Sequence, residues 1–211
     1  MTILLLIRHA SNDYLKENRL AGLIPGVHLN EQGQREVDAL ARRLETVALD
    51  AIYSSPIERA RETAQAVAQN QKLDVRIHPG LIEVDVGEWT GRLISELAET
   101  DAWKQMLAQP VASQFPGGDS FAHAHQRIVA AIDALVAAHP DQIIALVSHA
   151  DPIKIALAHY LKMDLNHFNR IVVDPASVSV LKFNERGPVL DRLNDRGEVL
   201  SLEKKDDSRK E

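Results

Sequence analysis

Four basic side chains of this 211-residue chain lie close behind short apolar segments: Arg8, His9, Arg59 and His149. Arginine binds phosphate oxygens through paired hydrogen bonds, and histidine serves as a nucleophile or exchanges a proton near neutral pH. The free N–H groups at the start of a helix also attract anions. If the fold brings these side chains together, they suit the chemistry of a phosphoryl group.

The elements that carry these residues repeat one pattern, in which an apolar segment is followed by polar residues and the start of a helix. The segments are 3–7, 51–53 and 143–147. Uninterrupted apolar runs predict strands buried on both faces of a parallel sheet. Because ligands bind at the carboxyl ends of such strands, we expect the four basic residues at one sheet edge.

The segments between the strands carry helix signals. Asn30 is the predicted N-cap of one helix, and Ser55 that of the next, with Pro56 at its first position and Glu58 completing a capping box. After the break at 116–118, a long helix presents an apolar stripe. The stripe contains Phe121, Ala124, Ile128, Ala131, Ile132 and Leu135. Residues 178–183 and 189–193 are predicted late strands, and the chain is predicted to form one α/β domain.

Composition excludes several classes of function. The 24 basic and 30 acidic residues give a net charge of −6, which argues against a nucleic-acid partner. No cysteine is present, so disulfides, thiolate metal sites and a cysteine nucleophile are excluded. The longest apolar runs have five residues, too few for a membrane helix, and no secretory signal is recognisable. We therefore expect a cytoplasmic protein.

Five blocks of the sequence, in order, resemble the histidine phosphatase superfamily, also called the phosphoglycerate mutase-like family. The first, Leu4–Ala10, contains Arg8-His9-Ala10 where the family normally has Arg-His-Gly. The other blocks are residues 54–64, 81–91, 115–120 and 147–150. The resemblance implies a three-layer α/β/α fold with a mostly parallel central sheet over residues 1–202. It implies a helical lid at about 90–120, and the highly charged segment 203–211 is predicted to be a disordered tail.

The resemblance also implies roles for individual residues. His9 would be the nucleophile that forms phosphohistidine. Glu83 would protonate the leaving oxygen and then activate water, so we expect the pKa of its carboxyl to be raised. The implied phosphate pocket consists of Arg8, Arg59 and His149, with the Ala150 backbone N–H and the Asn12 side chain. These groups can stabilise the transferring phosphoryl group without a metal ion or a cofactor.

Two departures from the family pattern affect this pocket. Ala10 and Ala150 stand where the family usually has glycine, and alanine would strain the backbone wherever a positive φ is required. Ser11 and Asn12 replace the usual Glu-Thr or Glu-Ser, which leaves Asn12 as the candidate for that phosphate contact.

Hydrolysis of a small phosphomonoester is the favoured function, and three alternatives stay open. Family mutases carry an insertion with adjacent arginines and a lysine, whereas residues 92–115 offer only Arg92 and Lys104. However, residues 22–30 and 171–178 resemble a bacterial branch often labelled as phosphomutases. The two alanines keep a non-catalytic phosphate-binding module open, and the third alternative is a protein phosphohistidine phosphatase. A homodimer is possible.

The side chains that form the roof of the pocket would set its specificity. The candidates are apolar residues of the predicted lid region and of the segment that precedes Asn30. They are Leu20, Leu23, Ile24, Trp89, Trp103, Met106 and Phe115.

Overall fold

A six-stranded sheet forms the centre of the computed structural model, which describes residues 1–197, Leu200 and Leu202. The strands are β1 (Thr2–Arg8), β2 (Ala51–Ser54), β3 (Val75–Ile77), β4 (Ile143–Ser148), β5 (Val178–Asn184) and β6 (Gly187–Asp195). Their order is β3-β2-β4-β1-β5-β6. The first four are parallel, whereas β5 and β6 join as an antiparallel hairpin. The predicted tail, 203–211, lies outside the described residues.

Seven α-helices accompany the sheet in the described part of the chain. They are α1 (Asp13–Lys16), α2 (Glu31–Arg43), α3 (Glu58–Gln71), α4 (Ile94–Ala98), α5 (Asp101–Ala108), α6 (Phe121–Ala138) and α7 (Ala150–Tyr160). None of them is both long and apolar enough to cross a membrane. The predicted stripe on α6 is confirmed, because all six of its residues are buried.

Two apolar cores cover the two faces of the sheet. Alternate residues of β1 point to opposite faces because side chains alternate along a strand. Ile7 packs in the core that includes Leu40 of α2 and Val67 of α3. Leu6 packs in the core that includes Ile128 of α6 and Ile153 of α7. The predicted three-layer α/β/α fold with a mostly parallel sheet is therefore confirmed.

The two helix caps predicted from the sequence have different outcomes. Asn30 caps α2, because its Oδ1 accepts a hydrogen bond from the Gly33 N–H at 2.9 Å. The predicted cap at Ser55 is wrong, since α3 begins at Glu58 and has no side-chain cap. The Ser55 hydroxyl is instead within hydrogen-bonding distance of a histidine of the site, described below.

The segment 90–120, for which the resemblance predicts a helical lid, contains α4 and α5. A separate apolar cluster joins this region to the loop that follows Glu83. Its buried members are Val86, Trp89, Leu97 and Met106, with Leu20, Trp103 and Phe115 packed against them. This cluster packs α5 against the loop that follows Glu83.

Candidate active site

The carboxyl ends of β1 and β4 bring the two candidate histidines together. Arg8 and Ser148 are opposite each other in the parallel pairing of the two strands. The His9 N–H then donates to the Ser148 carbonyl oxygen at 2.9 Å. The His9 and His149 ring centroids are 5.1 Å apart, with the rings inclined at 64°. The sheet topology therefore produces the juxtaposition that the sequence predicts.

The contacts of His9 leave one ring nitrogen available as a nucleophile. Nδ1 lies 2.8 Å from the Ala10 carbonyl oxygen, which can only accept, so Nδ1 carries the hydrogen. Nε2 then holds a lone pair, and the Arg59 Nε–H donates to it at 3.2 Å. Burial, with the positive charges of Arg59 and Arg8, lowers the pKa of His9 well below its ordinary value of 6.5. The imidazole is therefore neutral at physiological pH.

Three further side chains direct unused donors towards the same region. Arg8 is held by a hydrogen bond from Nη1 to the Val173 carbonyl oxygen (2.7 Å), and Arg59 by one from Nη2 to the Gly22 carbonyl oxygen (2.9 Å). Asn12 accepts the Leu15 N–H through Oδ1. Arg8 Nε, Arg59 Nη1 and Asn12 Nδ2 are buried without a hydrogen-bond partner. Because unsatisfied buried donors are costly, they indicate a site built for an anion.

Glu83 is the acidic group of the site. Its Oε1 accepts the Val84 N–H at 2.9 Å, and its Oε2 lies 3.9 Å from His149 Nδ1. Burial raises the pKa of the Glu83 carboxyl to about 7, and the negative charge of Asp151 contributes to the rise. The predicted raised pKa of Glu83 is confirmed, and the carboxyl can hold or release a proton near neutral pH.

His149 is fully buried beside the cavity and does not form part of the cavity wall. Its Nε2 lies 2.8 Å from Ser55 Oγ, and that oxygen already accepts the Ile57 N–H at 3.3 Å. This arrangement favours donation from the Ser55 hydroxyl to Nε2, which places the imidazole hydrogen on Nδ1. Nδ1 has no hydrogen-bond partner, so it is a further free donor beside Glu83.

A cavity of about 330 Å³ extends from these residues to α5. Four of the predicted roof residues line it, namely Leu20, Trp103, Met106 and Phe115. Leu23, Ile24 and Trp89 do not, so their prediction as roof residues is wrong. Trp89 packs behind Trp103 and Phe115 instead. Arg92 and Lys104, the only cations of the 92–115 segment, also lie away from the cavity wall.

A family model for the histidine phosphatase superfamily, branch 1, matches residues 4–196. The chain belongs to this superfamily. Phosphoserine phosphatase 1 of Hydrogenobacter thermophilus is 33% identical over 196 residues, which cover 92% of this chain and 92% of that protein.

Solved structures agree with this membership. Bacillus stearothermophilus YhfR superposes with a TM-score of 0.87 at 26% identity, covering 94% of this chain and 99% of that chain. An Entamoeba histolytica phosphoserine phosphatase in complex with 3-phosphoglyceric acid superposes with a TM-score of 0.84 at 25% identity. The match covers 95% of this chain and 100% of that chain. This histidine phosphatase is therefore an enzyme that hydrolyses small phosphomonoesters.

The two alanines that replace family glycines cause no backbone strain in this histidine phosphatase, because neither Ala10 nor Ala150 has a positive φ. Ala10 is fully buried, and its N–H donates to Thr63 Oγ1 at 3.1 Å. Ala150 is the first residue of α7 and lines the cavity. The substitutions therefore leave the backbone of the phosphate pocket intact.

Sequence reasoning missed Arg127, which holds the loop that carries Glu83. From α6, its guanidinium donates to the carbonyl oxygens of Ile82 (2.7 Å), Glu83 (3.1 Å) and Gly80 (3.3 Å). It also contacts Asp119 Oδ2 at 3.5 Å. Arg127 directly precedes Ile128 of the predicted α6 stripe, and no spacing rule connects it with the Glu83 loop.

Arg127→Gln is expected to lower kcat by about 10- to 100-fold, because a small displacement of a catalytic group is enough for such a loss. A loosened loop also admits water to Glu83, so the pH limb that reports its pKa moves to lower pH. Steady-state kinetics between pH 5 and 9 measure both effects. Arg127→Lys is expected to recover part of the loss, and Arg35→Gln on the exposed surface of α2 is the control. Loss of kcat with an unchanged pH profile would contradict a positioning role.

Proposed function

We propose that the enzyme hydrolyses a small phosphomonoester without a metal ion, through a phosphohistidine formed at His9. The observation that carries the proposal is the neutral His9 Nε2 beside unpartnered arginine donors. A carboxyl group with a pKa near 7, that of Glu83, completes the arrangement. Phosphoryl transfer is catalysed mainly by such positioning and charge stabilisation.

In the first step, His9 Nε2 attacks phosphorus and the bond to the alcohol oxygen breaks. Glu83 donates its proton to the departing oxygen and becomes a carboxylate. The Arg59 Nε–H, which occupies the His9 lone pair at rest, shifts to a phosphate oxygen when substrate binds. The free donors on Arg8, Arg59 and Asn12, which line the cavity, bind the remaining oxygens, where negative charge is concentrated. His149 Nδ1 lies behind this wall, 3.9 Å from Glu83 Oε2. The Ala150 N–H, in the first turn of α7, is a further donor.

In the second step, water attacks the phosphohistidine and the phosphorus–nitrogen bond breaks. The Glu83 carboxylate accepts a proton from this water, and inorganic phosphate forms. His9 returns to its neutral state, and the low pKa of its ring favours this form. The same carboxyl thus serves as acid and then as base, which its pKa of about 7 permits.

Phosphate release from a panel of phosphomonoesters, with a chelator present, tests this proposal. The panel includes 3-phosphoglycerate, for the mutase alternative, and phosphoserine, after the relative from Hydrogenobacter thermophilus. We expect phosphate release that the chelator does not reduce. Conversion of 3-phosphoglycerate to its 2-isomer with little free phosphate would identify a mutase instead. Phosphate binding without turnover of any ester would identify a non-catalytic module.

Glu83→Gln is expected to lower kcat for alkyl phosphates by about 10²- to 10⁴-fold, the usual contribution of general acid–base catalysis. The wild-type acid must be protonated, so kcat/KM for alkyl esters should fall as pH rises through about 7. In the Glu83→Gln variant, kcat/KM should not fall over this pH range. The leaving oxygen of a p-nitrophenyl ester needs little protonation, so the phosphorylation rate with this ester should fall less in the variant. Equal losses in phosphorylation rate for both kinds of ester would contradict the acid role.

The cytoplasmic location and the homodimer remain predictions of the sequence. Size-exclusion chromatography with light scattering measures the oligomeric state directly.

A further inference from the structure

The two ends of the cavity differ in what they offer a ligand. At the inner end, beside His9, the buried donors of Arg8, Arg59 and Asn12 have no partner in the protein. An anionic phosphoryl group satisfies them all. The polar requirements of the substrate are therefore concentrated at its phosphate.

The other polar side chains of the cavity wall already have partners within the protein. Lys154 Nζ lies 3.3 Å from Asp151 Oδ1. Arg19 donates to the Gly91 carbonyl oxygen at 2.8 Å and to Glu17 Oε2 at 3.0 Å. Asn169 Nδ2 donates to the Leu107 carbonyl oxygen at 3.3 Å. None of these three side chains has a buried donor without a hydrogen-bond partner.

Most of the remaining wall is apolar, and part of it is aromatic. Its large members include Leu20, Trp103, Met106, Phe115, Phe121 and Phe168. The aromatic rings brace one another: the Phe121 and Phe168 centroids are 5.0 Å apart, and Trp89 backs Trp103 and Phe115 at 5.5 and 5.4 Å. Such a wall favours burial of an apolar group and penalises burial of an unpaired charge.

We propose that the outer end of the cavity binds an apolar, ring-sized group of the substrate alcohol. The preferred substrates are then phosphomonoesters of apolar or aromatic alcohols, rather than of small charged ones such as phosphoserine. The cavity volume of about 330 Å³ is at the lower end of the range for small-molecule pockets, which suits a phosphate with one or two rings. This inference rests on the proposed function, because it assigns the substrate class of the same site.

Esters that share a primary alkoxide leaving group test the inference, since differences in leaving-group reactivity are then small. We expect kcat/KM for 2-phenylethyl phosphate to exceed that for ethyl phosphate by roughly 30- to 300-fold. The preference over O-phosphoserine should be at least as large. 2-Cyclohexylethyl phosphate should behave like the phenyl ester. Equal kcat/KM for the phenyl and ethyl esters, or a preference for O-phosphoserine through the Asp151–Lys154 pair, would overturn the inference.

A matched pair of variants localises the effect. Leu107 and Val111 are exposed to similar extents, 46% and 42%, but only Leu107 lines the cavity. Leu107→Asn should lower kcat/KM for 2-phenylethyl phosphate by about 10-fold and hardly change that for ethyl phosphate. Val111→Asn should change neither. Equal effects of Leu107→Asn on both esters would count against a ring subsite at this wall.

Binding of non-hydrolysable phosphonates separates this inference from the proposed function. Calorimetry on the wild-type enzyme should show that 2-phenylethylphosphonate binds at least about 10-fold more tightly than ethylphosphonate. If no ester is hydrolysed but this preference is observed, the proposed function fails and the subsite stands. If esters are hydrolysed without any preference in either assay, the subsite fails and the proposed function stands.

Discussion

His9→Ala is expected to lower kcat for phosphomonoester hydrolysis by about 10⁴-fold or more, because the nucleophile is lost and water must attack the substrate directly. The void left by the ring is at the inner end of the cavity, where it does not disturb the sheet. Phosphate release by wild type and variant, with the chelator present, measures the loss. Binding of inorganic phosphate to the variant, measured by calorimetry, shows that the pocket is still formed.

The matched control is His167→Ala, because His167 lies outside the cavity wall. This variant should keep wild-type kcat. A His9→Ala enzyme with more than about a tenth of the wild-type activity would show that another group attacks phosphorus.

Arg59→Met is expected to lower kcat/KM by about 10³-fold or more, the scale on which an arginine stabilises a phosphoryl-transfer transition state. Two effects combine here. The variant loses the free Nη1 donor and also the Nε–H bond that orients His9. Arg59→Lys keeps the charge but not the planar donor group, so it should recover only part of the loss. Steady-state kinetics on ethyl and 2-phenylethyl phosphate measure the change.

Arg61→Met is the control for this prediction, because Arg61 is exposed on the same helix. Arg59 also donates to the Gly22 carbonyl oxygen, so thermal melts of all three variants separate loss of fold from loss of chemistry. A folded Arg59→Met enzyme with near wild-type kcat/KM would show that Arg59 does not stabilise the transferring phosphoryl group.

The elements that position the site could be predicted because each depends on a local pattern. The continuous apolar run 3–7 identifies β1 as a strand buried on both faces, and its parallel pairing with β4 aligns Arg8 with Ser148. Once those two strands are neighbours, His9 and His149 must lie close together. The α6 stripe follows equally from helical spacing.

The second layer of the site could not be predicted, because it depends on contacts between distant segments. Ser55 has the sequence pattern of a helix cap, yet its hydroxyl contacts His149, 94 residues away. Arg127 reaches the carbonyl oxygens of the Glu83 loop across 44 to 47 residues. The roof prediction failed in part for the same reason, since Trp89 fills the space behind the wall instead of lining it.

The role of Lys154 and Asp151 in the cavity wall was also missed. Both lie on α7 just after His149, and Asp151 contributes to the raised pKa of Glu83. Sequence position placed them near the site, but only the three-dimensional structure shows that they line the cavity.

The phosphoenzyme intermediate tests the central claim most directly. Wild-type enzyme is mixed with substrate in the presence of a chelator, quenched with denaturant at alkaline pH, and analysed by mass spectrometry. The account predicts one added phosphoryl group on His9, stable to alkali and labile to acid, and none in His9→Ala. A phosphoryl group on another residue would contradict it. So would phosphate release at the wild-type rate by His9→Ala, in which no phosphohistidine can form at this position.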